Sequence, residues 1–255
     1  MARPCYDKII QVTDVMIGCS GFIYDHWRGN FYPESLSKNY WLEYYCKHFK
    51  TVELNVTFYR LPERETFSKW YGTTPDQFIF SLKGSRFITH VKKLKDCAEP
   101  VEVFFSRAVL LKEKLGAILW QLPPTFTIDL ERLKEFLEIL KPYNMKNAFE
   151  FRNKTWINKK ITDMLGKENV GLCLADYPNF LKKLPLTADF VYMRRHGKDG
   201  SYATSYSKEL LKEDARKIKS YVRQKKEVFL YFNNDAFGFA PKNAAELRTL
   251  LRKKR

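Results

Sequence analysis

No run in this chain approaches the ~18 consecutive apolar residues of a membrane span, and the first residues, MARPCYD, contain no apolar signal core. Neither a membrane protein nor an exported one is expected. Cysteine is scarce and unpatterned: Cys5, Cys19, Cys46, Cys97 and Cys173 are odd in number and form no CxxC pair. A disulfide scaffold and a structural zinc site are thereby disfavoured, and a reduced, cytoplasmic protein is expected. With 4 histidines, no HxH or HxxxH pair and no Asp-rich cluster, a His-rich multi-metal centre is also disfavoured. No Gly-x-Gly-x-x-Gly follows the first apolar run, so no dinucleotide or other organic cofactor is indicated. Ser20 and Cys19 lie in GCSG rather than Gly-x-Ser-x-Gly, which argues against either as an activated nucleophile. No Gly/Ser linker, repeat or low-complexity stretch divides residues 1–255, so one domain is expected, with residues 1–13 as a short extension.

Acidic residues are few beside basic ones. Lys and Arg total 45 against 29 Asp and Glu, a formal charge of +16. Such a field attracts nucleic acid or phosphorylated metabolites. Lys208, Lys212, Lys217, Lys219 and the terminal KKR also suit helix faces and tails that serve solubility alone. Aromatic residues, at 16%, are plentiful and serve either a Phe-rich core or an aromatic mouth.

Eight short apolar runs are present: Val15–Ser20, Thr51–Asn55, Phe78–Lys83, Gly116–Gln121, Ala148–Arg152, Val170–Ala175, Phe190–Arg194 and Val228–Phe232. Nearly all end in polar or charged residues. Between them lie amphipathic helical stretches. Tyr40–Phe49, Val101–Lys114, Leu130–Leu140 capped by Asp129, Ser207–Gln224 capped by Ser207, and a last helix from about Asn243 to Lys253 are the distinct ones. Alternating strands and helices predict parallel pairing with right-handed crossovers. Eight strands carrying chemistry at their C-terminal ends predict an α/β fold, a single (β/α)8 TIM-like barrel. Residues 176–189, short and interrupted by Pro178 and Pro185, leave little room for a helix, so the barrel should be irregular there. Long loops rich in aromatics and proline should overhang one end after the first three strands.

Period-2 alternation sorts the polar residues. Glu150 and Arg152 share one face, with Phe149 and Phe151 on the other. Tyr192, Arg194 and His196 share a face, opposite Met193 and Arg195. Glu53, Asn55 and Thr57 share a third. Buried charges need partners, so these side chains pair with one another, with water or with a ligand.

The ordered blocks GCSGFIY (18–24), His26, Trp27, Gly29, FYP (31–33), ELN (53–55), TFYRLP (57–62), Phe80, Lys83, Arg86, ITH (88–90), QLPP (121–124), EFR (150–152), Trp156, YMRRHG (192–197) and FNN (232–234), with Ala240 and Asn243, resemble the YecE-like family, domain of unknown function 72. The resemblance covers nearly the whole chain. It implies a TIM-like barrel but no settled reaction. Cys19 stands where a Thr is expected and Phe22 where a Trp is expected, and neither change removes an ionisable group. The family is similar in architecture to barrel nucleases of the endonuclease IV type, an analogy of fold.

Three chemistries compete. Acid–base catalysis would use Glu150 and His196, with Asp176 beside them. A single Mg or Mn would draw its ligands from Glu53, Glu150, Asp176 and His196. A sugar-active barrel needs two carboxylates from Glu53, Glu150 and Asp176. Substrate-binding candidates are Lys83, Arg86, His90, Gln121, Arg152, Tyr192, Arg194, Asn55, Tyr59, Asn233 and Asn234, and Phe58, Tyr59, Trp27 and Trp156 are candidate stacking surfaces. The expectation is a hydrolase or lyase acting on an anionic, phosphate-bearing substrate, nucleic acid included. The alternatives are a nucleic-acid-binding protein without catalysis and a sugar-active enzyme.

Overall fold

A computed structural model of the chain describes residues 15–197 and 200–252. The expected extension at residues 1–13 and the helix end at Lys253 lie outside them. The strands are β1 (Val15–Ser20), β2 (Thr51–Leu54), β3 (Ile79–Lys83), β4 (Leu115–Leu122), β5 (Lys146–Phe151), β6 (Gly171–Ala175), β7 (Phe190–Arg195) and β8 (Glu227–Phe232). They close in sequence order into one barrel in which every pair is parallel. This is the (β/α)8 architecture that the eight apolar runs predict.

Helices α1 (Trp41–His48), α2 (Val56–Tyr59), α3 (Arg64–Thr73), α4 (Ala98–Ala108), α5 (Leu130–Leu140), α6 (Lys159–Lys167), α7 (Lys208–Arg223) and α8 (Phe239–Arg252) surround it. Asp129 caps α5 by accepting from Arg132 N at 3.1 Å, and Ser207 caps α7 by accepting from Leu210 N at 3.4 Å. The helix expected over 101–114 instead runs from Ala98 to Ala108 and passes into a 3₁₀ turn, where Lys112 adopts φ 49°. The last helix starts at Phe239, one turn before the expected Asn243. Helices α3 and α6 carry no broad apolar stripe: α3 buries only Phe67, and α6 only Ile161 and Leu165. After β6 comes only a 3₁₀ turn, Asn179–Leu181, the irregularity expected at 176–189. A groove of ≈ 620 Å³ opens there, between α6 and residues 185–189.

Alternation along the strands builds two cores. Val52, Leu54, Ile118, Trp120, Phe149, Val191, Met193, Val228 and Leu230 face the helices. Ala117, Leu119, Ala148, Cys173, Ala175, Phe190, Tyr192, Phe229 and Tyr231 fill the lumen. The Tyr231 hydroxyl joins Thr51 Oγ1 at 2.7 Å and Ser81 Oγ at 2.8 Å, a polar layer that satisfies itself below the mouth.

β1 and β2 approach closely at Gly18. A Cβ there would lie 2.2 Å from the Thr51 carbonyl oxygen and 2.9 Å from the Tyr45 hydroxyl. Backbone cannot yield as a side chain can. Gly18→Ala is expected to destabilise the barrel by at least the upper end of the ~1–3 kcal/mol typical of overpacking. Urea unfolding checks this; a midpoint equal to that of the wild type would refute it.

Candidate active site at the barrel mouth

The uppermost inward positions of the strands carry charge. Arg194, on β7, is 1% exposed and sits between two carboxylates. Its Nε and Nη2 donate to Glu53 Oε1 at 3.1 and 2.9 Å, and its Nη1 donates to Glu150 Oε2 at 2.9 Å. Tyr192 donates to Glu53 Oε2 at 2.6 Å. Ser20, ending β1, donates to Glu53 Oε1 in a short contact and accepts from Arg194 Nη2 at 3.0 Å and from Asn55 Nδ2 at 3.0 Å. Burial alone would raise the Glu150 carboxyl, but Arg152 and Arg194 outweigh it and hold the group well below the usual carboxylate range.

Arg152 makes a short ion pair with Glu150 Oε1, and its Nη2 lies 3.0 Å from His196 Nε2. A guanidinium only donates, so Nε2 is an acceptor and the His196 ring is neutral, with its proton on Nδ1. The Asn233 amide lies 3.1 Å from Nδ1, and its oxygen is the end that suits that N–H. Burial first and Arg194 second push the His196 pKa down, in keeping with a neutral ring. Two atoms of the mouth are buried without a hydrogen-bond partner among the described residues, Asn55 Oδ1 and Arg152 Nε.

Lys83 ends β3 on the same inward face as Ser81. It is 8% exposed, and its Nζ lies 4.0 Å from the centre of the Phe58 ring. Burial, reinforced by Arg194, lowers its pKa to about 7. His90, edge-on to the same Phe58 ring at 5.0 Å, is pushed down to about 4 by burial and by Lys83 and Arg86. Gln121 lies inward on β4, in register with Glu150.

The structure therefore brings together Glu150, Arg152, Tyr192, Arg194, His196, Lys83, Gln121, Asn55 and Asn233. It places other candidates elsewhere. Asp176 follows Cys173 and Ala175 out of phase with the lumen. Its carboxylate accepts from His196 N at 2.8 Å and, in a short contact, from the Tyr206 hydroxyl, so it fastens the loop after β7. Asn234 is one residue out of phase with Asn233. It points to α8 and donates to Asn243 Oδ1 at 3.0 Å and to Thr204 O at 2.9 Å. Thr57 leaves the strand alternation because the short α2 begins right after Asn55, and it donates to Lys83 O at 2.7 Å. Arg86 is exposed beyond the mouth, and Tyr59 is 76% exposed on the rim against Phe58. Trp27 and Trp156 are fully buried and donate to Asp235 O and Phe126 O, so they are packing residues rather than stacking surfaces.

Glu53, Glu150, Asp176 and His196 do not form a ligand set. The two glutamates are engaged by arginines and Asp176 by Tyr206, and among the described residues no three such side chains are grouped around a metal position. The central place of Glu53 and Ser20 is the feature that reading single strands undervalues. Its one signal is the inward parity of Glu53, which does not reveal that Arg194 lies across the lumen.

A closed barrel of parallel strands with its ionisable residues at their C-terminal ends defines a TIM-barrel protein. The chain belongs to the family described as protein of unknown function DUF72, whose model matches residues 16–255. It is similar to UPF0759 protein YecE of Escherichia coli K12, at 35% identity over 119 residues, 46% of this chain and 43% of YecE. It is also similar to UPF0759 protein YunF of Bacillus subtilis, at 26% identity over 93% of this chain and 94% of YunF. Of solved structures, a DUF72 family protein from Thermotoga maritima matches with TM-score 0.83 and 31% identity, over 94% of this chain and 99% of that one. A DUF72 family protein from Enterococcus faecalis, 20% identical with TM-score 0.80, shares the fold over 94% of this chain and 96% of its own.

Proposed function

We propose that the chain is a barrel enzyme, a hydrolase or lyase, that binds an anionic, phosphate-bearing substrate at the mouth and transfers a proton to or from it through His196. The observation that carries this reading is Arg152, whose Nε is buried and unpaired beside a neutral histidine. A buried cationic donor without an acceptor is a cost that an anionic ligand removes. Glu150, held ionised, orients Arg152 and Arg194 and strengthens the field around His196. That ionisation also argues against Glu150 as the protonated acid a glycosidase needs.

The charge of +16 favours a second reading, a nucleic-acid-binding protein without catalysis. Among the described residues no helix is long and apolar enough to cross a membrane, and Cys19, Cys46, Cys97 and Cys173 are unpaired, which supports a reducing, cytoplasmic setting.

Calorimetric titration with phosphate and pyrophosphate tests the first reading. The wild type should bind at least one of them, and Arg152→Met should weaken binding by roughly tenfold or more, the worth of one charge-assisted hydrogen bond. No binding of either anion by folded wild type would remove the anionic substrate.

A further inference from the structure

The mouth has one cation too many. Glu53 and Glu150 supply two negative charges, and Arg194 and Arg152, ion-paired to them, already supply two positive ones. Lys83 is a third basic group, 8% exposed among them, with no hydrogen bond or ion pair from Nζ among the described residues; its Nζ lies over the Phe58 ring. An ammonium so placed costs several kcal/mol in lost hydration without a compensating charge. A lysine so largely buried in the field of two guanidiniums is biased toward the neutral form, and a neutral amine carries a free lone pair.

We infer that Lys83 is an amine nucleophile that forms an imine with an aldehyde or ketone group of the anionic substrate. This rests on the anion-binding reading above and adds the substrate's second functional group. The lone pair of Nζ forms a C–N bond to the carbonyl carbon while the C=O π pair moves to oxygen. A proton passes from nitrogen to that oxygen. A second proton reaches that hydroxyl oxygen, the C–O bond breaks, the oxygen leaves as water, and the nitrogen lone pair closes the C=N bond; the iminium returns that proton from its remaining N–H to give the neutral imine. Nothing is oxidised or reduced. The unpaired Arg152 Nε is the donor for the anionic group of the same substrate.

Burial sets the proton affinity of Lys83 first, then Arg194 on β7, Glu150 on β5, Glu53 on β2 and Arg152 just past β5; His90, in the turn after β3, is itself pushed down by Lys83. The amine is held near 7, well below the ordinary lysine value of about 10.

The experiment uses the full chain and pyridoxal 5′-phosphate, an aldehyde bearing a phosphate, at less than one equivalent. Borohydride reduction fixes the imine, and peptide mass mapping locates it. Lys83 is expected to be labelled ahead of the exposed lysines, with a rate that reaches half its maximum near pH 7. Pyridoxal, which lacks the phosphate, should label it roughly tenfold more slowly or less, and inorganic phosphate should protect it. Lys83→Arg, checked for native circular dichroism, should lose the fast phase; persistence of that phase would place the nucleophile elsewhere. If phosphate binds but Lys83 is labelled no faster than Lys159, the nucleophile is refuted and the anion site stands. If phosphate neither binds nor protects while Lys83 still reacts fast with both aldehydes, the amine stands and the anion site falls.

Discussion

Arg194→Met should lower the free energy of unfolding by roughly 3–5 kcal/mol, because it leaves buried Glu53 without a cation and Glu150 with Arg152 alone. Glu53 and Glu150 are both fully buried, and each takes a charged hydrogen bond from that guanidinium. The pH dependence should invert with the substitution. In the wild type the folded Glu150 carboxyl lies below its unfolded value, so its contribution is complete above the ordinary glutamate pKa and is lost as pH falls through the folded one. In Arg194→Met the buried carboxylate left without a cation should instead favour protonation, and stability should rise as pH is lowered toward about 5. Denaturant unfolding from pH 4 to pH 8 measures both. A loss under about 1 kcal/mol, as for surface pairs, would show that the network is hydrated rather than buried.

His196→Gln should lower turnover by about 10²–10⁴, the usual share of a positioned general acid–base group. The fold should survive, since glutamine can still accept from Arg152. Because burial and Arg194 keep the His196 pKa below its ordinary value, the acid limb of the rate profile should lie below that of a free histidine. Affinity for DNA at low salt should hardly change. That term comes from surface cations, and its logarithm should fall with log salt at a slope of about −0.9 per phosphate contacted. Replacing exposed lysines such as Lys159 and Lys208 should reduce the slope and leave turnover intact. The opposite pattern, with DNA affinity lost in His196→Gln and kept in the lysine variants, would move the function from catalysis to nucleic-acid recognition at the mouth.

The period-2 pattern made most of this architecture readable in the chain. In Thr51–Leu54, in Ala148–Arg152 and in Tyr192–His196, the choice of inward residue is local, because each strand step turns a side chain to the other face. The same regularity explains the errors. Asn233 and Asn234 are adjacent and chemically identical, and only the register of β8 against β7 sends one to His196 and the other to Asn243. Asp176 lies just past the end of β6, where alternation no longer binds it, and Tyr206, 30 residues later, claims it. Residues 176–189 announced their missing helix through two prolines, a local constraint on φ.

What the sequence determined by itself was therefore whatever depends on near neighbours: eight strands, their parallel order, the helix caps and the set of charges that must be inside. What only the tertiary structure decided was which charge meets which. Arg194 lies 141 residues from Glu53 and 44 from Glu150, and Lys83 is left without an acceptor because those two carboxylates are already taken. Pairing across a lumen depends on barrel closure and strand register. Coulomb energy varies with the resulting distances, and no one-dimensional spacing encodes them.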